Sequence, residues 1–264
     1  MKYFDAHCHV QFDDYDVDRD ALIAHMQEEG VGGVVVGIDR ASSEAARALV
    51  QNHPHLYSSV GLHPNYETQE SFDEAHVLSL LADPKVVAVG ECGLDYYRPA
   101  EVTDELKHAQ KALFEQHVEV AAKTGTPLIV HGRPAKGTMD AYKDIIDILS
   151  SKKKEYGDQL RGDIHFFVGG IAEARALIDL DFTVSFTAVV TFARDYDDVV
   201  RFVPLTHILS ETDAPYVAPA PRRGKRNDPL AVIDVVRALA GIRGEEEGLV
   251  QAALVDNAMR LFRI

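Results

Sequence analysis

The sequence predicts a (β/α)8 barrel, in which eight parallel strands form a ring and helices surround it. Short apolar runs such as "GGVVVGI", "KVVAVGE" and "TPLIVHG" are typical of parallel strands that are buried on both faces. Eight such runs occur, and successive runs begin 20 to 41 residues apart, which leaves room for a helix in every connection. A chain of 264 residues is also of ordinary length for one barrel.

The predicted strands lie, in chain order, at residues 3–9, 33–38, 57–62, 86–91, 127–131, 162–167, 182–186 and 207–211. Amphipathic segments separate them. The clearest is 103–123, where Leu106 and Leu113 fall on the apolar face of a helix. Gly125 is expected to end this helix and Pro127 to open the next strand. An open, doubly wound sheet is the alternative architecture for the same alternation of strands and helices.

Composition places the chain among soluble globular proteins, with 46% hydrophobic and 26% charged residues. No apolar run approaches the ~18 residues that a membrane span needs, and no secretory signal pattern is present at the N-terminus. The two cysteines, Cys8 and Cys92, do not make a disulfide framework. We therefore expect a cytoplasmic protein that uses neither a membrane nor an obligate protein partner. No linker-like tract divides the chain, so residues 1–264 are predicted to form a single hydrolase domain.

The opening segment Asp5-Ala6-His7-Cys8-His9 carries polar side chains at alternate positions of a predicted strand. In an extended backbone, side chains at alternate positions point to the same face. Asp5, His7 and His9 are therefore expected to converge, while Ala6 and Cys8 face the other way. This is how a strand would present two imidazoles to a metal ion.

Other predicted strands also end in side chains that bind metals or phosphate. In a (β/α)8 barrel the active site lies at the carboxyl ends of the strands, so residues at these ends meet at one rim. Five of the 12 histidines are predicted to lie there. The polar residues at this rim are His7, His9, His63, Glu91, Asp95, His131, Arg133, His165, Glu211 and Asp213.

Four histidines and two carboxylates of this set suit a divalent metal centre, since imidazole binds zinc and similar ions and carboxylates also bind magnesium and manganese. Six ligands exceed the needs of one catalytic ion, so the set predicts two ions about 4 Å apart with Glu91 as the bridge. Such a pair would supply hydroxide at neutral pH for a displacement at phosphorus. Taken singly, the elements have other interpretations: His165 could be a core residue, and Asp213 could cap a helix.

These residues lie in segments that resemble the motifs of the TatD-type metal-dependent deoxyribonucleases, which belong to the amidohydrolase-like barrel enzymes. The segments are, in order, "DAHCH", "GLHP", "GECGLDYYR", "VHGR", "IHFF", "ETDAPY" and "RRGKRNDP", and the resemblance continues to "NAMRLF". "GECGLDYYR" and "ETDAPY" followed by "RGKRN" are specific, whereas "HxH" is shared with many amidohydrolases. Where the family often has "HCFSG" and "PHRGKRNEP", this chain has "HFFVGG" and "PRRGKRNDP". Both departures concern substrate contacts and leave the ligand positions intact.

The resemblance implies a TIM barrel, two divalent ions (Mg²⁺, Zn²⁺ or Mn²⁺) and hydrolysis of DNA phosphodiesters, typically as a 3′→5′ exonuclease. By the same motifs the implied metal ligands are His7, His9, Glu91, His131, His165 and Asp213. It also implies that Glu91 bridges the ions, that His7, His9 and Asp213 bind one ion, and that His131 and His165 bind the other.

Asp213 and Glu91 are the predicted catalytic residues. Asp213 is expected to bind metal and also to take a proton from the attacking water, which requires hydrogen-bond reach. His63 and Arg133 are predicted substrate contacts to phosphate oxygens, with a loop-fixing histidine and a surface ion pair as the alternatives. Glu211 shares a face with Asp213 and is expected to orient a ligand.

One basic cluster interrupts a chain whose 27 basic and 42 acidic residues give a net charge of −15. Such acidity disfavours DNA binding by the whole surface, so any contact with DNA must be local. The cluster is "PRRGKR", which follows the eighth strand, where barrel enzymes often bind phosphate. Lys225 and Arg226 are therefore predicted to bind the DNA backbone, and a solvated loop is the alternative.

The sequence thus predicts a hydrolase that cleaves DNA phosphodiester bonds through a metal-bound hydroxide, acting as a 3′→5′ exonuclease on single strands or ends. An amidohydrolase or lactonase acting on a small molecule is the main alternative. A barrel that binds metal without catalysis is the third, and its mark would be a missing ligand position; all six are present.

Overall fold

A ring of eight parallel strands forms the centre of the computed structural model, which describes residues 1–64, 71–220 and 222–264. The strands are hydrogen-bonded to one another in chain order. They are β1 (Tyr3–Cys8), β2 (Val31–Val35), β3 (Leu56–Val60), β4 (Val86–Asp95), β5 (Leu128–Arg133), β6 (Gly162–His165), β7 (Phe182–Phe186) and β8 (Ile208–Ser210). The helices are α1 (Arg19–Glu29), α2 (Arg40–Val50), α3 (Glu74–Leu81), α4 (Asp104–Thr124), α5 (Asp140–Tyr156), α6 (Ile171–Ile178), α7 (Asp197–Phe202), α8 (Val232–Arg243) and α9 (Glu247–Phe262).

The ring is closed where the first strand meets the segment that follows the last. Cys8 and Ala214 form a parallel bridge. The backbone N–H of Asp213 donates to the oxygen of His7 at 2.9 Å, and that of His9 donates to the oxygen of Ala214 at 2.8 Å. The predicted (β/α)8 barrel is therefore confirmed, and the open doubly wound sheet is excluded.

The predicted strands differ from the observed ones mainly at β4. It was expected to end at residue 91, but its pairing with β5 continues through Gly93–His131 to Asp95–Arg133. Gly93 makes this possible, because its φ is +134° and a Cβ there would lie 2.1 Å from the backbone oxygen of His131. Glycine and acidic residues are poor strand formers, so the strand propensities predicted an end that lies too early.

Local signals set the ends of the long helix α4 as predicted. The Thr103 side chain accepts a hydrogen bond from the N–H of Leu106 at 3.2 Å, which caps the first turn. At the other end Gly125 has a left-handed φ of 67°, a conformation that stops a helix.

Apolar side chains fill the space between the strands and the helices, where Val130, Phe114 and Leu239 belong to the largest buried cluster. A second cluster joins strand residues such as Phe4 to Phe262 of α9, with ring centroids 6.0 Å apart. Within the described residues, no helix combines the length and the apolarity needed to cross a bilayer. Buried polar side chains gather instead at the carboxyl ends of the strands, where the candidate site lies.

Candidate metal centre and substrate cavity

The two histidines at the end of β1 point to one place. His7 is fully buried and His9 nearly so, and their Nε2 atoms are 3.1 Å apart. His9 Nδ1 lies 2.9 Å from the backbone oxygen of Val36, so this nitrogen carries the ring proton and donates it. His9 Nε2 then faces the shared space, where the alternation of the opening segment predicted that the two rings converge.

Glu91 lies between two pairs of histidines. Its Oε1 is 2.9 Å from His131 Nδ1 and 3.5 Å from His165 Nε2. Its Oε2 is 3.4 Å from His7 Nε2 and 4.0 Å from His9 Nε2. Each carboxylate oxygen therefore faces two of the predicted ligand histidines, which is the arrangement expected of a ligand shared by two ions.

Carboxylates behind the second pair of histidines fix the orientation of the rings. Asp95 Oδ2 lies 3.1 Å from His131 Nε2, and Glu211 Oε1 lies 3.2 Å from His165 Nδ1. A partner of this kind holds one ring nitrogen and leaves the other for a metal ion. Glu211 is thus placed as predicted. Asp95 has the same geometry, which the sequence did not assign to it.

Asp213 completes the cluster from the segment after β8. Its backbone is left-handed, with φ 54°, and its Oδ1 lies 3.6 Å from His9 Nε2 and 3.8 Å from His7 Nε2. Asp5 supports this segment, because its carboxylate accepts hydrogen bonds from the backbone N–H of Thr212 at 2.9 Å and from its hydroxyl at 2.6 Å. Asp5 therefore positions Asp213 through the backbone and lies beneath the cluster.

The charges of the cluster suit a cation. Burial raises the pKa of Glu91, but the neighbouring histidines outweigh it and hold this pKa well below its usual value. Burial likewise raises the pKa of Asp213, and its hydrogen bond with His9 and the nearby histidines bring it below the usual value. Burial lowers the pKa values of His7 and His165. The carboxylates are therefore charged and these imidazoles neutral at pH 7, which is the state that binds metal.

His131 differs from His7 and His165 in the direction of its pKa shift. Burial lowers its pKa, but the hydrogen bonds to Asp95 and Glu91 outweigh burial and raise the pKa to about 9. Without a metal ion the ring therefore carries two protons, one toward each carboxylate. A metal ion at Nδ1 would replace the proton that faces Glu91, so metal binding at this position releases a proton.

The donor atoms fit two divalent ions. Three groups of donors lie within 4.8 Å: His7 with His9 and Glu91, Glu91 with His131 and His165, and His7 with His165 and Asp213. The adjacent Nε2 atoms of His7 and His9 cannot both act as donors to each other, and an ion between them and Glu91 satisfies both lone pairs. A fourth group, His63 with Asp95 and His131, competes for the ring nitrogen that already binds Asp95.

A cavity of about 870 Å³ opens over this cluster, which is in the range of small-molecule sites. The predicted substrate contacts His63 and Arg133 both line it. His63 Nε2 lies 3.4 Å from Glu91 Oε1, and the Arg133 guanidinium lies 4.3 Å from the centre of the Tyr97 ring.

Arg98 and Tyr216 also line the cavity, and sequence reasoning did not single them out. Both belong to segments that were recognised, "GECGLDYYR" and "ETDAPY". Loop residues beyond a strand end have no periodicity that fixes the direction of a side chain, so the motif gave their position but not their orientation.

Two of the four cations in the basic loop are held by acids. Arg226 pairs with Asp18 at 2.5 Å, and Arg222 pairs with Asp228 at 3.1 Å. These contacts tie the loop to the segment before α1 and to its own end. The first residue of the predicted "PRRGKR" cluster, Pro221, lies outside the described residues.

The other two cations of the loop are exposed. The Arg223 guanidinium lies 4.1 Å from the centre of the Phe192 ring, and Lys225 extends into solvent. In the described part of the chain neither Arg223 nor Lys225 has an ion pair, and neither Lys225 nor Arg226 lines the cavity.

Comparisons with known proteins assign this chain to a family. A family model described as TatD related DNase matches residues 4–263. The chain belongs to the TatD family. An uncharacterized metal-dependent hydrolase of Bacillus subtilis, YabD, is 34% identical over 265 residues, with 99% of each chain covered. The 3′-5′ ssDNA/RNA exonuclease TatD of Erwinia billingiae is 30% identical over 258 residues, with 94% of each chain covered.

Solved structures agree with this assignment to the TatD family. The crystal structure of YjjV, a TatD homolog from Escherichia coli K12, superposes with a TM-score of 0.85 at 26% identity, and the match covers 100% of this chain and 98% of that one. The resemblance noted in the sequence motifs is therefore confirmed. This TatD-family protein is a metal-dependent hydrolase with clusters of His, Glu and Asp able to bind metal.

Proposed function

We propose that this TatD-family hydrolase cleaves phosphodiester bonds of DNA, removing nucleotides from the 3′ ends of single strands or of frayed duplexes. The observation that carries the proposal is the position of Glu91, between two histidine pairs, at the floor of a cavity whose wall holds Arg98 and Arg133. A site that combines paired cation positions with guanidinium groups suits an anionic diester. The Erwinia relative is named as a 3′-5′ ssDNA/RNA exonuclease, which supports the same substrate class.

The proposed metal ligands are His7, His9, Glu91, His131, His165 and Asp213, which together would hold two divalent ions (Mg²⁺, Zn²⁺ or Mn²⁺). When bound, such ions lower the pKa of coordinated water and neutralise charge on the phosphate. Residues 1–264 act as one hydrolase domain in this proposal.

Asp213 acts as the base in the proposed reaction. Its side chain is 14% exposed and lines the cavity, and its lowered pKa keeps it charged at neutral pH. Asp213 accepts a proton from the attacking water, and Glu91 holds the two histidine pairs in place around it. The water oxygen forms a bond to phosphorus, the P–O3′ bond breaks, and the leaving 3′ oxygen takes up a proton. The products are a nucleoside 5′-monophosphate and a strand shortened by one residue.

We propose substrate contacts in two places, inside the cavity next to the metal cluster and on the basic surface loop. His63 and Arg133 would contact oxygens of the scissile phosphate, because both line the cavity and His63 lies beside Glu91. Lys225 would guide the DNA backbone on the surface. Arg226 reaches a backbone phosphate only by leaving Asp18, so its contribution is expected to be smaller than that of Lys225.

Chelation followed by re-addition of single ions tests the proposal. Oligonucleotides labelled at the 5′ end should be shortened stepwise by the protein supplied with Mg²⁺, Mn²⁺ or Zn²⁺, while Asp213→Asn, which keeps the shape of the side chain, should lose nearly all of this activity. Failure to cleave DNA with any of the ions would reject the proposal. Hydrolysis of an amide or lactone panel under the same conditions would then favour the small-molecule alternative.

A further inference from the structure

The wall of the cavity has two chemically different sides. Arg98 and Arg133 come from the ends of β4 and β5, and Tyr216 comes from the segment after β8. In a ring of eight strands, β4 and β8 are on opposite sides. The metal cluster therefore lies between a side with guanidinium groups and a side with an aromatic ring.

Tyr216 is held firmly by its backbone, yet its ring is left open. Its N–H donates to the backbone oxygen of Asp213 at 2.8 Å, three residues along the same turn. The ring stands at 69° to the ring of His9, with centroids 6.4 Å apart. About half of the side chain, 51%, is exposed, although it lines a cavity. The exposed part of the ring is therefore available to a ligand in the cavity.

Phe12 shows by contrast what a structural aromatic looks like in this cavity. Its ring lies flat on the ring of His9, with centroids 4.6 Å apart and an angle of 7° between the planes. One face of Phe12 is therefore already covered by a proposed metal ligand. Tyr216 touches His9 only with an edge-to-face geometry, which leaves the ring free to stack on something else.

The guanidinium groups on the opposite side are held by neighbouring side chains but keep part of their surface open to the cavity. Arg98 Nε is 3.8 Å from Asp95 Oδ2, and the Arg98 side chain is 54% exposed. Arg98 and Tyr216 line the same cavity. A ligand that fills this cavity can therefore contact both a guanidinium group and an aromatic ring.

We propose that Tyr216 stacks on the base of the 3′-terminal nucleotide while Arg98 holds the adjoining backbone phosphate, so that the substrate is an unpaired strand end. This inference rests on the proposed function and names the part of the substrate that the cavity recognises. A base must be unstacked from its neighbours to meet Tyr216, which excludes a terminal residue that is still paired in a duplex. Every base has a π face, so the contact tolerates all four bases.

The size of the effect follows from stacking. Loss of one base–aromatic contact weakens binding by about 5- to 150-fold. Removal of either partner, the ring or the terminal base, should therefore lower kcat/KM by a factor in this range. Removal of both the ring and the terminal base should lower kcat/KM no further than removal of one, because both changes remove the same contact.

Two single-stranded substrates distinguish this contact from a structural role. One ends in an ordinary 3′ nucleotide, and the other ends in a tetrahydrofuran abasic nucleotide that has the same phosphate and sugar backbone. Cleavage of the terminal phosphodiester is measured for the metal-loaded wild type, for Tyr216→Ala and for Tyr216→Phe. Leu249→Ala, an exposed position on α9, serves as the control variant.

The wild type, Tyr216→Phe and Leu249→Ala should prefer the substrate with a terminal base by about 5- to 150-fold, and Tyr216→Ala should show almost no preference. Equal cleavage of both substrates by the wild type would overturn the inference and leave the proposed nuclease function standing. An equal drop on both substrates in Tyr216→Ala would also overturn it, since that result indicates a structural role. Absence of cleavage of either substrate by the wild type would reject the proposed function itself.

Discussion

Acidification should destabilise the fold through His117, a fully buried histidine of α4. Its Nε2 accepts a hydrogen bond from the backbone N–H of Leu62 at 3.0 Å, and its Nδ1 donates to the backbone oxygen of Leu113 at 2.8 Å. The neutral ring satisfies both contacts. A second proton would put an N–H at Nε2 against the N–H of Leu62. Burial accordingly lowers the pKa from 6.5 to about 4, although the contact with Leu113 opposes this shift.

The sign and size of the effect follow from the pKa values of the folded and unfolded states. The folded-state pKa of His117 is the lower one, so the unfolded chain binds the proton first as the pH falls. The stability is fully present above about pH 6.5 and is lost as the pH falls toward about 4. Each pKa unit corresponds to about 1.4 kcal/mol of unfolding free energy. Protonation of His117 should therefore lower the free energy of unfolding by about 3 kcal/mol in total, and by about 2 kcal/mol at pH 5.

Urea unfolding of the wild type and of His117→Gln, at pH 7 and pH 5 and at a fixed concentration of divalent metal, measures this loss. The glutamine oxygen can accept the hydrogen bond from Leu62 but does not titrate. Other acid-sensitive groups are common to both proteins and cancel in the comparison. Between pH 7 and pH 5 the wild type should lose about 2 kcal/mol more than the variant. Equal losses in the two proteins would refute the reasoning.

Four further substitutions test other parts of the structure. Gly241→Ala in α8 should add about 0.5–1 kcal/mol of stability and raise Tm, because a Cβ there meets nothing within 4 Å; a lower Tm would contradict this. Gly93→Ala should lower Tm and the number of metal ions bound per purified chain, because its Cβ would lie 2.1 Å from a backbone oxygen of β5. A Tm and a metal content equal to those of the wild type would contradict this. Asp95→Asn should weaken metal binding by about 10- to 100-fold in calorimetric titration, and unchanged affinity would remove its orienting role. Lys225→Ala should flatten the salt dependence of single-strand binding by about 0.7 in log–log slope, whereas Arg222→Ala, already paired with acids, should leave it unchanged; equal slopes in both would remove Lys225 from the substrate path.

The sequence predicted the parts of this protein that depend on local periodicity and on the geometry common to all barrels. Alternation along β1 was sufficient to bring His7 and His9 together. The rule that strands end at one rim was sufficient to bring in His131, His165 and Asp213 from distant segments. Neither inference needed information on which side chains contact each other across the barrel.

The parts that the sequence could not predict depend on such contacts. Asp95 was recognised as a rim residue, but its hydrogen bond to His131 requires β4 to continue past Glu91, which the strand propensities of "CGLD" disfavour. Arg226 lies next to Lys225 in the same basic run, yet its partner Asp18 is 208 residues away in sequence. Charge patterning along a chain does not reveal pairing over that separation.

The seam between the two ends of the barrel also bears on when the enzyme becomes active during synthesis. His7 and His9 are synthesised about 200 residues before Asp213 and Ala214, on which the carboxylate contact and the bridge to Cys8 depend. A nascent chain therefore has only part of the proposed centre until the segment after β8 has emerged, and under the proposed function a fragment that ends before Asp213 should not hydrolyse its substrate.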